Sequence, residues 1–167
     1  FHVTPRKGQF LVLKTKAELS HIIETVPTQF TKGVIVWTTV YGNLVVGPTA
    51  VDQASRSDRS TDLETMRDLR LWVDKVVPAA RDADVVGTYS GLRPATQFRD
   101  YCIQSHSEGW ITVGGIRSTG LSCCCAIGEH VADLVDALPG TSRAGIPTPG
   151  IAEAKVAQRT ASVRVNN

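Results

Sequence analysis

Short apolar segments separated by turn residues occupy the first 50 positions of the chain. Val, Ile, Thr and Trp, which favour strands, are frequent among them. Because consecutive strands joined by short turns pair antiparallel, the pattern predicts an antiparallel sheet with turns at 5–8 and 41–43. Residues 16–19 also allow the start of a short helix. The predicted strands are 9–13, 21–26, 33–40 and 44–48.

Two later segments have helical periodicity, with apolar residues recurring every three or four positions. The first begins with a capping-box pattern that predicts Thr61 as its N-cap and Glu64 at the third helical position, and it ends at Pro78. The second runs over 121–138 and ends before a Pro-Gly pair. The expected fold class is therefore α+β. Three further strands are predicted at 85–92, 101–104 and 110–113.

The composition narrows the class of protein. Of the 167 residues, 42% are hydrophobic and 20% are charged, which is typical of a folded domain and not of a disordered chain. The net charge of +2, without a concentrated basic patch, argues against nucleic acid as a partner. No stretch approaches the ~20 apolar residues that span a bilayer, so we expect no transmembrane segment.

The four cysteines are Cys102 and the consecutive Cys123, Cys124 and Cys125. They match neither the spacing of a zinc site nor a scattered disulfide framework, so we expect no bound metal and a reducing, cytoplasmic location. Cys124 is predicted to be a small buried residue on the second helix.

The beginning and the end of the sequence differ from the rest. The only methionine is Met66 and the chain opens at Phe1, so we expect a fragment or a processed product. Residues 141–167 contain prolines and glycines followed by a polar stretch with three basic residues, and we interpret them as a linker or tail.

Arg93 is the first candidate for chemistry. It follows Gly91-Leu92 and precedes Pro94 at the end of a predicted strand. A surface turn with a solvated arginine is one interpretation. The other is an anion clamp, because the planar guanidinium fits a carboxylate or phosphate through two hydrogen bonds.

Arg117 is the second candidate. A predicted strand leads through Gly114-Gly115 past Arg117 into the second helix, with Ser118 or Thr119 as its N-cap. The positive end of a helix suits an anion or an electron-rich ring edge, whereas a tight turn that needs glycine only for its geometry is the alternative. If the strands before Arg93 and Arg117 are neighbours, both arginines point into one cleft.

Four segments, in this order, resemble the C-terminal half of FAD-dependent oxidoreductases of the D-amino-acid oxidase superfamily. The nearest branches are the anaerobic glycerol-3-phosphate dehydrogenase and L-2-hydroxyglutarate dehydrogenase types. The resemblance covers about residues 1–138. It implies a substrate-binding domain at 1–108 and the last strand and helix of the FAD-binding, Rossmann-like domain at 109–140. The segments are 5–10, 41–49, 91–94 and 114–121.

The resemblance also implies roles for individual residues. Arg93 matches the arginine that holds the substrate's carboxylate or phosphate, and Arg117 matches a second arginine near the flavin. Tyr41 and Tyr89 are candidates to line the substrate cleft, with packed strand tyrosines as the alternative. No catalytic base is identified. The residues that match the loop and helix start against the flavin ring are Gly115, Ile116, Ser118, Thr119, Gly120 and Leu121.

The implied function is oxidation of a small anionic substrate by hydride transfer to FAD, the substrate being glycerol 3-phosphate, a 2-hydroxy acid or an amino acid. The chain lacks the G-x-G-x-x-G pattern of a dinucleotide-binding unit, so we expect it to need a missing N-terminal FAD-binding half as partner and to be inactive alone. A non-catalytic module that binds an anion or a partner protein is the alternative. Contact with a membrane surface and a homo-oligomer formed through exposed apolar faces also stay open.

Overall fold

The computed structural model describes residues 1–26 and 33–140, so the predicted linker or tail at 141–167 lies outside the described residues. Within these ranges eight strands and two helices follow one another, and a short 3₁₀ turn at Pro78–Ala80 follows the first helix. The strands are Val3–Lys14 (β1), Ile23–Glu24 (β2), Ile35–Thr38 (β3), Asn43–Gly47 (β4), Val51–Asp52 (β5), Asp84–Thr96 (β6), Cys102–His106 (β7) and Trp110–Gly114 (β8), and the helices are Leu63–Val76 (α1) and Gly120–Asp136 (α2).

All strand pairs in the described residues are antiparallel, as the sequence predicts. β1 is the central strand of the larger sheet, because it pairs with β4 and β5 along one edge and with β6 along the other. β3 joins β4 in the predicted hairpin, and β2 adds to β3. β7 and β8 form a separate hairpin. The α+β fold class is confirmed.

The main core lies between α1 and one face of the larger sheet. Leu11 and Leu13 of β1 point toward α1, where Leu69 and Val73 are buried against them. Because side chains alternate along a strand, the even-numbered residues of β1 face the other side of the sheet. That second face carries Arg93. The remaining buried residues of the core are Val36, Leu44, Val46, Val77 and Ala80.

The segment 5–8 is part of β1, so the prediction of a turn there is wrong. Pro5 lies opposite Pro94 of β6. Neither residue has an N–H group, so the two prolines can stand opposite each other only where the strands exchange no hydrogen bond. Residues that usually mark turns are therefore accommodated within the strand.

The N-cap of α1 is Asp62, not Thr61 as the capping-box pattern predicts. The Asp62 carboxylate accepts a hydrogen bond from the Thr65 N–H at 2.8 Å, whereas the Thr61 hydroxyl is paired with that of Thr88 at 2.9 Å. Residues 16–19 contain no helix. Trp37 lies only half-buried on the face away from α1, with its ring edge against Phe10.

Candidate functional site

Three charged residues form a row across three neighbouring strands of the larger sheet. Asp52 of β5 lies directly opposite Arg6 of β1, and Arg6 lies directly opposite Arg93 of β6. Residues in register on adjacent strands share one face of the sheet, so all three side chains project to the face away from α1. The row therefore places two cations and one anion side by side.

The Arg93 guanidinium is held by the backbone of the loop after β4. One terminal nitrogen, Nη2, donates to the Thr49 carbonyl oxygen. The same nitrogen lies over Gly8, since a Cβ built at that glycine would be 2.8 Å from it. The Nε atom is buried and has no hydrogen-bond partner. An unsatisfied charged donor in such a place is what an anion-binding arginine requires.

Thr49 is itself fixed by Gln9, a buried polar residue of β1. The Gln9 N–H donates to the Thr49 hydroxyl at 3.0 Å, and the Thr49 N–H donates to the Gln9 carbonyl at 3.2 Å. The Gln9 side chain in turn donates to Asp62 at the start of α1 at 2.6 Å. Arg93 is thus connected, through Thr49 and Gln9, to the start of α1.

The electrostatics of the row follow from burial and neighbouring charges. Burial and the nearby Arg6 lower the pKa of Arg93, and Asp52 acts in the opposite direction. The hydrogen bonds from Arg6 hold the pKa of Asp52 below its usual value. Arginine keeps its charge at neutral pH despite such a shift, so Arg93 remains a cation.

The position of Arg93 differs in one respect from the prediction. The residue does not end a strand, because β6 continues to Thr96. β6 pairs with β1 both before and after Arg93, so the pleat and not a loop sets the direction of its side chain.

The two candidate tyrosines lie at different distances from Arg93. Tyr89 is on the same strand and face, and its ring stacks on Phe10 with centroids 4.6 Å apart. Tyr41 is 88% exposed at the tip of the β3–β4 hairpin. Asn43, next to that tip, pairs with Lys14, which is eight residues along β1 from Arg6, or about 26 Å. The structure brings Tyr89 but not Tyr41 to the face of the charge row.

Arg117 follows β8 and is anchored in the same manner as Arg93. Its Nη2 donates to the Phe98 carbonyl oxygen, and its buried Nε has no partner. The backbone of Arg117 is left-handed, with φ of +58°. A residue with a Cβ rarely adopts this conformation unless its surroundings hold it there, so the loop presents the guanidinium in a defined place.

The start of α2 leaves its backbone donors available. Thr119 is the N-cap, as one of the two predicted candidates, but its side chain makes no capping bond. The hydroxyl turns back to the Ile116 carbonyl at 3.0 Å and to the Tyr101 hydroxyl at 2.5 Å. The first helical bond runs from the Cys123 N–H to the Thr119 carbonyl. The N–H groups before it have no acceptor within the helix.

The other residues predicted to face the flavin lie along the same short loop. Gly115 has φ of +68° and is buried, Gly120 packs against Ile116, and Ser118 is exposed. Leu121 is 90% exposed. The loop therefore combines a glycine with a left-handed backbone, a partly buried aliphatic side chain and an exposed helix start.

The strands that carry the two arginines are not paired with each other, because β6 belongs to the larger sheet and β8 pairs with β7. The prediction that both arginines point into one cleft required these strands to be neighbours, and they are not. The loop after β8 nevertheless contacts the end of β6. A Cβ on Gly115 would lie 3.3 Å from the Thr96 side chain, and Arg117 reaches the Phe98 carbonyl two residues beyond β6.

A cavity of about 320 Å³ adjoins Arg93 but lies on the other face of the sheet. Pro5 and Pro94 line it together with Leu92, and these residues alternate with Arg6 and Arg93 along their strands. Arg93 is itself among the residues that line this cavity.

The cysteines show one difference from the prediction. Cys124 is exposed, as is Cys125, whereas Cys123 is half-buried and close to the Tyr101 hydroxyl. The predicted burial of Cys124 is wrong, since no residue of α2 is buried in the described part of the chain. Over residues 1–26 and 33–140, no group of three or more His, Cys, Asp or Glu side chains is arranged to hold a metal.

Sequence reasoning missed the residues that support Arg93. Asp52 has no evident partner along the sequence, yet it pairs with Arg6, which was assigned to a turn. Thr49 and Gly8 also contact Arg93. Most of these residues lie in segments 5–10 and 41–49, on which the resemblance rests, but the resemblance does not show the strand register that joins them.

The larger sheet is followed by a strand, a glycine loop and a helix, which is the order of elements that the resemblance implies for a flavin-dependent oxidoreductase. Residues 1–134 match the family described as FAD dependent oxidoreductase. The chain belongs to this family of FAD-dependent oxidoreductases. Neither helix in the described residues is both long and apolar enough to cross a membrane.

Curated relatives and solved structures agree with this assignment. The chain is 33% identical to a glycerol 3-phosphate oxidase of Mycoplasma genitalium over 81% of its own length and 37% of the relative's. It is also 33% identical to a glycerol 3-phosphate dehydrogenase of Caloramator mitchellensis, over 80% of its own length and 28% of the relative's. The chain thus spans about a third of the length of these relatives.

Among solved structures, the L-α-glycerophosphate oxidase of Mycoplasma pneumoniae with FAD bound has a TM-score of 0.64 and 30% identity, covering 81% of this chain and 37% of that one. The glycine oxidase of Bacillus cereus has a TM-score of 0.68 and 20% identity, covering 79% and 36%. The second comparison shows a shared fold.

Proposed function

We propose that this chain provides the substrate-binding sheet and the flavin-facing loop of an enzyme that oxidises a small anionic substrate. One observation carries the proposal. Arg93 is held by the Thr49 carbonyl over Gly8, and its buried Nε has no partner. A buried guanidinium nitrogen without an acceptor is costly, and a carboxylate or phosphate oxygen would satisfy it.

The chain's own residues act by binding and orientation. Arg93 holds the anionic group of the substrate and thereby fixes the position of the carbon to be oxidised. The aromatic pair of Tyr89 and Phe10 stands on the same face, four positions along β6 from Arg93. Positioning of this kind lowers the barrier by removing the entropy cost of aligning the reactants.

The loop after β8 fits FAD. The buried Nε of Arg117 lacks an acceptor, and Thr119 leaves the start of α2 without a side-chain cap. These donors suit the electron-rich edge of a flavin ring, and Gly115, Ile116 and Gly120 form the backbone beside it. When bound, FAD supplies the acceptor for the hydride. We propose that polypeptide beyond these 167 residues provides the remaining contacts to the cofactor.

The substrate class that we favour is a three-carbon phosphate, because two relatives at 33% identity are named for glycerol 3-phosphate. 2-Hydroxy acids and amino acids carry a carboxylate that Arg93 would bind by the same hydrogen bonds. Comparison of kcat/KM for glycerol 3-phosphate, lactate and glycine distinguishes the three classes.

The test of the proposal is the kinetics of Arg93 variants in the flavin-loaded enzyme that contains this chain. Arg93→Ala should raise KM by about 10- to 100-fold, the cost of hydrogen bonds to a charged group, without changing flavin content. Arg93→Lys should recover part of the affinity, because the charge returns without the planar fork.

Arg67→Ala is the matched control, since Arg67 is exposed on α1, across the sheet from Arg93. It should leave both KM and flavin content unchanged. Loss of flavin with normal substrate affinity in Arg93→Ala would assign Arg93 to the cofactor and contradict the proposal.

A further inference from the structure

The row of Asp52, Arg6 and Arg93 has a charge pattern that the anion-binding role alone does not require. The three residues are directly opposite one another on β5, β1 and β6. Like charges in register on adjacent strands repel each other, so Arg6 opposite Arg93 is an unfavourable pair. A sheet that keeps this pair needs a compensating charge.

Asp52 provides that charge through two parallel hydrogen bonds. The Arg6 Nε and Nη2 atoms donate to its two carboxylate oxygens at 2.6 and 2.9 Å. This fork satisfies Arg6 and draws its guanidinium toward β5, away from Arg93. The row as a whole therefore carries one net positive charge.

We propose that the Arg6–Asp52 ion pair sets the charge of the Arg93 site, so that the site discriminates between singly and doubly charged anions. The inference rests on the proposed function, because it takes Arg93 as the anion ligand. Arg6 and Asp52 act on the bound anion through their field, and Arg93 makes the contact.

The charges of the row predict a ratio between the effects on two ligands, and this ratio does not depend on distances. Asp52→Asn changes the net charge of the row from +1 to +2, Arg6→Met changes it to 0, and the double variant returns it to +1. Coulomb energy is proportional to the charge of the ligand. The fold-change in affinity for a doubly charged anion should therefore be the square of that for a singly charged anion.

The experiment measures the affinity of the flavin-loaded enzyme that contains this chain for acetate and for methyl phosphate at pH 8 and low salt. Methyl phosphate is doubly charged there, because the second pKa of a phosphate monoester is about 6. Asp52→Asn should tighten acetate binding by about threefold to tenfold and methyl phosphate binding by about the square of that factor. Arg6→Met should weaken acetate binding, and it should weaken methyl phosphate binding by about the square of the acetate factor. The affinities of the double variant should lie between those of the two single variants.

A merely structural role of the ion pair gives a different result. Both single variants would then weaken binding by similar factors for the two anions, and the double variant would not recover. That outcome overturns the inference, as does an unchanged affinity in Asp52→Asn. The charge effect should also fall sharply at about 1 M salt, where the screening length is about 3 Å.

Folding of the variants is expected to be normal, since the ion-paired side chains of Arg6 and Asp52 are 38% and 49% exposed. Arg6→Gln also removes the charge of Arg6, and it serves as a second neutral substitution beside Arg6→Met. Asp68→Asn is the matched control, because Asp68 is exposed on α1 on the other side of the sheet.

Arg93→Met distinguishes the proposed anion-binding role of Arg93 from the inferred effect of the Arg6–Asp52 ion pair. If anions bind and Arg93→Met leaves their binding intact, or if no Arg93-dependent binding exists, the role proposed for Arg93 fails and the inference with it. If binding depends on Arg93 but the affinities of the Arg6 and Asp52 variants do not follow the net charge of the row, only the inference fails.

Discussion

Gly8 lies directly opposite Gly91 across the pairing of β1 and β6, and only Gly8 is covered by the guanidinium of Arg93. A Cβ on Gly8 would be 2.8 Å from the Arg93 Nη2 atom and 3.2 Å from the Thr49 carbonyl oxygen. A Cβ on Gly91 would meet no atom within 4 Å. Two glycines on one face of the sheet thus have different relations to the candidate site.

Gly8→Ala is predicted to displace the Arg93 guanidinium from the Thr49 carbonyl. The nearest atom is the end of a flexible side chain, so the arginine moves and the sheet remains folded. The affinity for glycerol 3-phosphate should fall by about tenfold, the cost of misplacing a hydrogen bond to a charged group. Isothermal titration of the variant measures this loss.

Gly91→Ala is the control for the same substitution on the same face. It should leave the anion affinity within about twofold of the wild type, because the added methyl group enters open space. Equal losses in the two variants would show that the packing of Arg93 over Gly8 has no part in anion binding.

Local sequence features identified Arg93 but could not reveal what holds it. Its residue type and its Gly and Pro neighbours made it a candidate clamp, and those features are local. The ion pair of Arg6 and Asp52 joins positions 46 residues apart. Thr49 reaches Arg93 across 44 positions. Strand register fixes both contacts, and register depends on side chains throughout the sheet.

The loop after β8 gives a second prediction, at Gly115. Its φ of +68° disfavours any side chain, and a Cβ would lie 3.3 Å from Thr96. Gly115→Ala should therefore lower thermal stability through both effects and, in the flavin-loaded enzyme, lower flavin content. Flavin absorbance relative to protein concentration measures the second effect.

Gly109→Ala separates the backbone effect from the crowding. Gly109 has φ of +78°, and a Cβ there would meet no atom within 4 Å. This control should lose about 1 kcal/mol for the left-handed backbone and keep its flavin. If both variants lose flavin equally, the loop after β8 has no specific part in holding flavin through Gly115.

The helices illustrate a different reason for the errors of sequence reasoning. The periodicity of 121–138 predicts α2 closely, but the burial of Cys124 does not follow from periodicity. An apolar stripe shows which face of a helix can be buried and not whether a neighbour covers it. Asp62 and not the predicted Thr61 is the N-cap, because the Thr61 hydroxyl is hydrogen-bonded to that of Thr88 in β6.

Asp58 gives a prediction about pH. Lys7 donates to its carboxylate at 2.8 Å and Ser60 donates both its N–H and its hydroxyl, so the pKa of Asp58 lies well below its usual value of about 3.9. A pKa that is lower in the folded state than in the unfolded state stabilises the folded protein at pH values above the unfolded pKa. That contribution is lost as the pH falls through the folded pKa.

A carbon-13 titration of the Asp58 carboxyl measures this pKa directly. The midpoint should lie clearly below the usual value in the wild type and rise toward it in Lys7→Met, because Lys7 is the largest cause of the shift. A wild-type midpoint near 3.9 would show that these hydrogen bonds do not form in solution.

The most direct test of the central claim is the nuclear magnetic resonance signal of the Arg93 Nε–H group in the 167-residue chain. The signal is assigned by its loss in Arg93→Lys, and glycerol 3-phosphate is then added. We predict a saturable shift of this signal as the buried Nε gains an acceptor, while the signal of Arg67 on the far side of the sheet stays in place. An Arg93 signal that does not move at any concentration of the anion would contradict the account.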